Sequence, residues 1–414
     1  MGNIALQKLL AEGQGLYQAG YYAQARKIFK KIHGVAAPNP ELINIIASTY
    51  FNEKNYEKAQ VWFQKVLDIQ PDYTRAIWNM GMCAFKAGQV EQALDLFIRC
   101  QKHLPAKAAP YIEIALARLA NHQPDKMAET LTQAPLENAT QLEKDKVNAL
   151  QALYAYGWTQ DMGCLADCLN AFADSHNAHA ASPDGVWLGG YHILLSALLK
   201  YRKYHSFDNA EGLPILHLVG DSHALTAAHE VVELGGQKYV TRPHVILNAK
   251  AYHLACEENT LAKYTLQKIV GDLSSGDKVV MMVGEIDCRQ QEGFLPHIIK
   301  HNAAPQKLME EVAQGYVEHV FKAFQATGIT PLFYGVPAPA ARQQVNDQQW
   351  YTFLDVVAAF NKALEKQANK NSTAFLDVYG LTADKNGQSN QEWHIDDYHV
   401  SPKVLESCFK EAEL

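Results

Sequence analysis

A period of 34 residues governs the first third of the chain. Ala25, Ala59 and Ala93 are spaced by 34 residues, as are Phe29, Phe63 and Phe97, and as are Pro71 and Pro105. Gly20 and Gly88 lie two periods apart, and Tyr50 and Gly81 fall where the same pattern wants an aromatic and a glycine. A repeat of this length is one helical hairpin, which can bury its apolar face only by stacking on the next. The alanines let two antiparallel helices approach, the phenylalanines fill the space between hairpins, and the prolines stop the second helix. Three repeats follow, about 6–39, 40–73 and 74–107. A fourth, about 108–141, keeps Ala115 and Leu131 without the glycines, as a capping unit would. Helical spacing continues from Gln141 to Ala173 through Val147, Leu150, Leu153 and Tyr154, so residues 1–175 are expected to form one helical repeat domain.

These positions resemble the tetratricopeptide repeat (TPR). The resemblance implies a superhelix whose concave groove takes a peptide or a partner protein. The alternative that the array only packs on the rest of the chain stays open.

At 414 residues the chain is long enough for two or three compact units. Its 48% hydrophobic and 20% charged content is that of a globular protein. A formal charge of -7 opposes a general nucleic-acid binder, which needs a basic footprint on phosphate. The seven cysteines include no CxxC pair; the closest, Cys164 and Cys168, stand one helical turn apart, which fits reduced thiols. No basic leader opens the chain, no run of 18 apolar residues follows, and Leu6 stands where myristoylation after Gly2 wants Ser or Thr. A cytoplasmic protein with no membrane or nucleic-acid partner is expected.

Loop chemistry at 176–213 surrounds one apolar helix near Tyr191 to Tyr204, and this segment is read as a linker. Beyond it, strands are expected at 215–220, 244–248, 278–284, 330–336 and 373–379. Helices are expected between and after them at 222–235, 251–271, 305–327, 348–368 and 401–412. Alternation of this kind predicts an α/β domain at 214–414: a five-stranded parallel, flavodoxin-like sheet covered on both faces, with ligands beyond the carboxyl ends of the strands.

Two motifs sit at such ends. Gly220-Asp221-Ser222 follows the first strand, where a serine at a helix start has free N–H groups and a favourable dipole beside it. Asp and Ser are also the preferred helix caps, so the motif alone leaves capping open. Near the C-terminus Asp396 precedes His399 by three residues, so the carboxylate can orient the imidazole while its other nitrogen faces a serine. Pro402 suits the first turn of a last helix. Glu285, Asp287 and Arg289 form a polar cluster after the third strand, read either as a substrate clamp or as an ion-pair brace. A mixed metal site from Asp221, His223, His394, Asp396 and His399 is a further alternative, although no zinc-motif spacing is present.

The whole arrangement resembles the SGNH, or GDSL-type, hydrolases, with Gly-Asp-Ser after strand one and Asp-x-x-His before a terminal helix. The resemblance covers about 215–414 and implies Ser222 as nucleophile, His399 as general base and Asp396 as its orienting carboxylate. The family's Gly-x-Asn-Asp block reads Gly284-Glu285-Ile286-Asp287 here, so Ile286 stands where an oxyanion-donating Asn is wanted. Asn248, Ala249 and Lys250 are candidates for the second-block donor; Gly284, Glu285, Asp287, Arg289 and His223 are candidates for lining the substrate site. The expectation is a cofactor-free and metal-free serine esterase, deacylase or acyltransferase on a small-molecule or glycan ester, with repeats for docking a partner. The alternative is a non-catalytic repeat scaffold whose hydrolase-like domain binds a glycan or peptide.

Overall fold

The computed structural model describes residues 3–35, 37–175, 183–340 and 352–414. It divides into two compact units, Met1–Ala139 with Asn259–Leu261, and Thr140–Glu258 with Ala262–Leu414.

The first unit holds four antiparallel helical hairpins: α1 (Asn3–Gln18) with α2 (Tyr22–His33), α3 (Pro40–Asn52) with α4 (Tyr56–Ile69), α5 (Thr74–Lys86) with α6 (Val90–His103), and α7 (Ala108–Ala120) with α8 (Pro124–Thr132). Helix starts follow from local chemistry. Asn39 accepts from the N–H groups of Glu41 and Leu42 with Pro40 in the first turn, and Asn55 caps α4 through the Lys58 N–H. The periodic alanines and phenylalanines are fully buried, and the Phe97 ring packs so closely on Gly81 that a Cβ there would lie 2.7 Å from it. Each hairpin turn repeats one hydrogen bond. The N–H groups of Tyr21, Asn55, Gln89 and Gln123 reach back to the carbonyls of Leu16, Tyr50, Ala84 and Arg118 at 2.8–2.9 Å. That bond requires a left-handed residue just before its donor. The four residues there are Gly20, Lys54, Gly88 and His122, with φ of 82°, 60°, 72° and 56°. The turn is thus conserved in geometry where the glycine is not.

The second unit starts at Thr140, whose side chain and Glu143 form a capping box on α9 (Gln141–Tyr154). A π-helical turn at Ala155–Thr159, α10 (Met162–Ala171) and α11 (Pro183–Arg202) follow. The expected repeat domain ran to 175, but 141–175 falls in the unit of the sheet. Hydrogen bonds tie this segment to the sheet unit: His229 Nε2 meets the Tyr156 carbonyl at 2.9 Å, and its Nδ1 meets Gln160 at 3.1 Å. Arg202 at the end of α11 pairs at 2.7 Å with Glu230, both side chains 4% exposed, and Lys403 adds a second contact to Glu230 at 3.1 Å. Part of the expected linker, 176–182, lies outside the described residues.

Among the described residues the sheet has six strands and is mixed, which corrects the expectation of five parallel ones. They are β1 (Ile215–Gly220), β2 (Val231–Leu234), β3 (Gln237–Val245), β4 (Lys278–Met282), β5 (Leu332–Tyr334) and β6 (Phe375–Leu376), in the order β2-β3-β1-β4-β5-β6. All neighbours are parallel except β2 and β3, which form an antiparallel hairpin. Its turn is Gly235-Gly236, with φ of 62° and 74°, the left-handed pair that a two-residue hairpin demands. The helix expected at 222–235 is therefore a short 3-10 turn at Ser222–Leu225 followed by β2.

The remaining helices are α12 (Ala251–Ala255), α13 (Leu261–Gly271), α14 (Glu285–Cys288), α15 (Phe294–His301), α16 (Pro305–Phe324), α17 (Phe353–Lys370), α18 (Val378–Thr382) and α19 (Val404–Glu411). Strand alternation decides which face each side chain serves. Val219, Val279, Met281 and Phe333 pack with α13, α15, α16 and α17, while Leu216, Leu218, Val280, Met282 and Tyr334 pack with α19. The start of the helix expected at 348, residues 348–351, lies outside the described residues. None of the described helices is long and apolar enough to cross a membrane.

The repeated turn makes a test. Lys54 is exposed and pays the steric cost of a left-handed backbone, whereas Gly20 does not. We expect Lys54→Gly to stabilise the first unit by about 0.5–1 kcal/mol and Gly20→Ala to destabilise it by about 1 kcal/mol, read as urea midpoints. Equal midpoints for both variants and wild type would show that the turn bears no strain.

Candidate active site

The site is built where β1 ends. Gly220 lies so close to β4 that a Cβ on it would stand 1.9 Å from the Met282 carbonyl oxygen. With no side chain there, β1 keeps both neighbours: the Asp221 N–H donates to Met282 O at 3.2 Å, and the Ile246 N–H donates to Gly220 O at 2.6 Å. The backbone then turns, Asp221 accepts the His223 N–H at 2.9 Å, and half-buried Ser222 stands at the carboxyl edge of the sheet. The 3-10 turn that Ser222 opens has four residues, so the helix dipole expected behind the serine is reduced to one short turn.

The second part arrives on the loop between α18 and α19. Isolated bridges Ala383 to Ser389 and His394 to Val400 fold this loop on itself, and the Ser401 N–H donates to Trp393 O at 2.6 Å. Ser389 Oγ meets His394 Nδ1 at 2.7 Å, and the Ser389 N–H donates to Pro339 O at 2.8 Å. At its end, Asp396 Oδ1 accepts the N–H groups of Tyr398 and His399 at 2.8 and 2.7 Å. The same carboxylate meets His399 Nδ1 at 2.8 Å through Oδ2. His399 Nε2 lies 2.8 Å from Ser222 Oγ.

These three side chains form one hydrogen-bonded row across 177 residues of chain. Burial works against the charge of Asp396, but the His399 ring and the two backbone donors outweigh it and hold the carboxyl down at about 2. Asp396 thus stays ionised at any physiological pH. With Nδ1–H donated to Asp396, His399 presents a lone pair to the serine hydroxyl, a geometry that can accept its proton.

The other expected residues distribute unevenly. His223 is buried between Asp221 Oδ1 at 3.0 Å and the Tyr398 carbonyl at 3.1 Å. Burial opposes protonation of His223, yet the Asp221 carboxylate lifts its affinity for a proton above the usual histidine range. Glu285 binds Arg289 through both oxygens at 2.7–3.0 Å, and the Arg289 guanidinium lies 4.7 Å from the Tyr398 ring centroid. Arg289 is therefore occupied by an internal partner, the brace reading of that cluster. Asp287 is buried and caps α12 through the N–H groups of Ala251 and Tyr252 at 2.6 and 3.1 Å. Desolvation pushes its carboxyl up to about 7 in spite of those donors.

The Ala249 N–H is spent on Ile246 O at 3.1 Å, and Lys250 Nζ binds Glu292 at 2.9 Å. Asn248 is exposed in a left-handed conformation with φ of 54°. Gly284, with φ of 138°, lies against Phe360 and Val336, and Ile286 is 6% exposed, part of the core. Among the described residues no three His, Cys, Asp or Glu side chains converge as a metal site, so the five-residue metal alternative finds no cluster. Sequence reasoning missed Glu292 and the Tyr398 carbonyl, whose roles depend on contacts that no local pattern encodes.

The tetratricopeptide repeat family matches residues 50–103. Tetratricopeptide repeat protein 8 of Caenorhabditis elegans is 27% identical over 82 residues, which are 20% of this chain and 16% of that relative's length. Among solved structures, MamA from Desulfovibrio magneticus is 18% identical with a TM-score of 0.36, covering 44% of this chain and 99% of that one. PilF of Pseudomonas aeruginosa is 16% identical with a TM-score of 0.39, covering 48% and 84%. A thermophilic TPR protein of Thermus thermophilus is 19% identical with a TM-score of 0.34, covering 46% and 98%. The N-terminal region of this chain carries tetratricopeptide repeats.

Proposed function

We propose that the chain joins a repeat scaffold for a protein or peptide partner to a serine hydrolase unit that acts on acyl esters. The observation that carries the enzymatic half is the row Ser222, His399 and Asp396, with contacts of 2.8 Å on each side of the imidazole. In this reading Ser222 Oγ attacks the ester carbonyl carbon as its proton passes to His399 Nε2. Asp396 holds the ring and offsets the imidazolium that forms. Collapse of the tetrahedral intermediate expels the alcohol, which takes the proton from His399, and water then releases the acyl group by the same route. The parallel strands run in the order β3-β1-β4-β5-β6, with the antiparallel β2 added at one edge. In such sheets ligands bind beyond the carboxyl ends of the strands. A carbohydrate ester as substrate, and transfer in place of hydrolysis, are what the SGNH resemblance implies.

The second reading is a repeat scaffold whose sheet unit binds a glycan or peptide without turnover. The repeat match over residues 50–103 favours the scaffold, and the burial of Ile286 in place of an amide donor favours the loss of catalysis. Each missing oxyanion donor costs about 2.7–4 kcal/mol of transition-state stabilisation.

A fluorophosphonate probe separates the two readings, since only an activated serine reacts quickly. We expect labelling at Ser222 and hydrolysis of p-nitrophenyl acetate. Ser222→Ala and His399→Ala each lower hydrolysis at least about a thousandfold, and the double variant little more. Rates within about twofold of wild type in both single variants would assign the activity elsewhere.

Asp287 gives a pH test of its cap on α12. A carboxyl raised to about 7 in the folded chain holds its proton where the unfolded chain, with an ordinary acid, has lost it. Its contribution therefore lowers stability as pH rises from about 4 to about 7 and is constant above. Asp287→Asn removes that slope, so the stability of the variant relative to wild type should climb through this window by up to a few kcal/mol. A difference that is flat with pH would mean that Asp287 does not titrate there.

A further inference from the structure

Asp221 and His223 flank the serine and take no part in the row that it forms, yet both side chains are almost wholly buried, 1% and 3% exposed. His223 has an acceptor on each side: the Asp221 carboxylate at Nδ1 and the Tyr398 carbonyl at Nε2. An imidazole with one proton can serve only one of them, whereas an imidazolium serves both. Asp221 has the complementary need, because its Oδ2 has no hydrogen-bond partner among the described residues and a buried carboxylate wants a counter-charge.

We propose that His223 is a positioning residue for the proposed serine hydrolase reaction: a buried imidazolium that ties the turn of Ser222 to the turn of His399 and opposes protonation of that base. The proposal rests on the hydrolase reading for its role and on geometry alone for the imidazolium. The tie is mechanical first. Tyr398, whose carbonyl His223 holds, donates its N–H to Asp396 and precedes His399, so one bond fixes the whole Asp396–His399 turn against the end of β1. It is electrostatic second. The His223 and His399 ring centroids are 4.7 Å apart, so a protonated His399 would face a second cation.

The surroundings bear on the balance. Glu285 lines a cavity of about 10 Å³ with Asp221, His223, Met282 and Tyr334, and its charge favours the imidazolium, although Arg289 already neutralises it. The His399 ring faces His223 from the loop before α19, and His394 on the same loop is held below the usual histidine range by burial, with the charges of His223 and His399 adding to it. Around Asp221 stand Tyr191 of α11, Tyr316 of α16, and Asp287 and Arg289. The raised proton affinity of His223 agrees with the two-acceptor geometry.

The test uses the full chain. Nitrogen-15 spectra of histidine-labelled protein at pH 7.5, assigned by loss in His223→Gln, should show both His223 nitrogens protonated. One pyridine-like nitrogen would overturn the imidazolium whether or not the protein is an enzyme. The second arm is the pH profile of fluorophosphonate labelling in wild type, His223→Gln and Asp221→Asn/His223→Gln; the double variant keeps the pocket neutral if the single one fails to fold. With the cation gone and Asp221 kept, the acid limb of His223→Gln should move up by about 1 pH unit; the double variant loses both charges, so its limb should stay while its plateau rate falls at least about tenfold with the tie. A wild type that labels, with a double variant that labels at the same plateau rate or a folded His223→Gln that keeps the wild-type acid limb, overturns the role alone. A wild type that never labels removes the hydrolase reading, and the role with it.

Discussion

The absence of one methyl group at Gly220 sets up everything at the edge of the sheet. β1 lies between β3 and β4, and the Met282 carbonyl occupies the space that any Cβ at 220 would need. Because nothing is there, the strand stays paired on both sides to its last residue and still turns sharply into Asp221. The direction in which Ser222 emerges is then a property of the sheet and not of the loop, which is how a rigid element aims a side chain better than a flexible one. The same crowding makes this residue intolerant of exchange, in contrast with the repeat turns, where Gly20 has open space around it.

The two units solve the problem of burial differently. In the repeats each hairpin is stabilised by its neighbours, and one backbone motif, a left-handed residue followed by a long return bond, recurs every 34 residues. In the sheet unit the decisive contacts are distant in sequence. Glu230, between the sheet hairpin and the 3-10 turn, is met by Arg202 of α11 and by Lys403 beside α19, a buried charge served by two cations. Removing either cation leaves a carboxylate short of compensation, the more costly half of any buried ion pair.

How much could be read from the residues follows from this contrast. The alanine and phenylalanine period displays three of the four hairpins because repetition makes local pattern and tertiary contact the same thing. Gly220-Asp221-Ser222 and Asp396 to His399 were legible as halves of one row because each half is a short motif at a strand or loop end. The β2–β3 hairpin was not, since Val231 to Leu234 reads equally well as part of a helix and only Gly235-Gly236 marks the turn. The ion pair of Glu285 with Arg289, four residues apart, was one of two readings of that cluster, but the placing of Arg289 on the Tyr398 ring was not legible, since it depends on a loop more than 100 residues away in the chain. The division at 139/140 escaped for a related reason: helical spacing at 141–173 says that helices form, not which core receives them.

The loop that carries His399 has a consequence for how the molecule behaves over time. It is closed by two single-residue bridges and by the hydrogen bonds of its own turns, it follows a helix of only five residues, and it leads into an eight-residue helix. Segments with so few pairings open at a small fraction of the free energy that a whole domain needs. Brief excursions of this loop would carry the imidazole away from the serine and return it while β1 and β4 stay paired. The lifetime of the row would then be governed by this local opening equilibrium, and heat would uncouple the two halves before it melts the sheet that holds them.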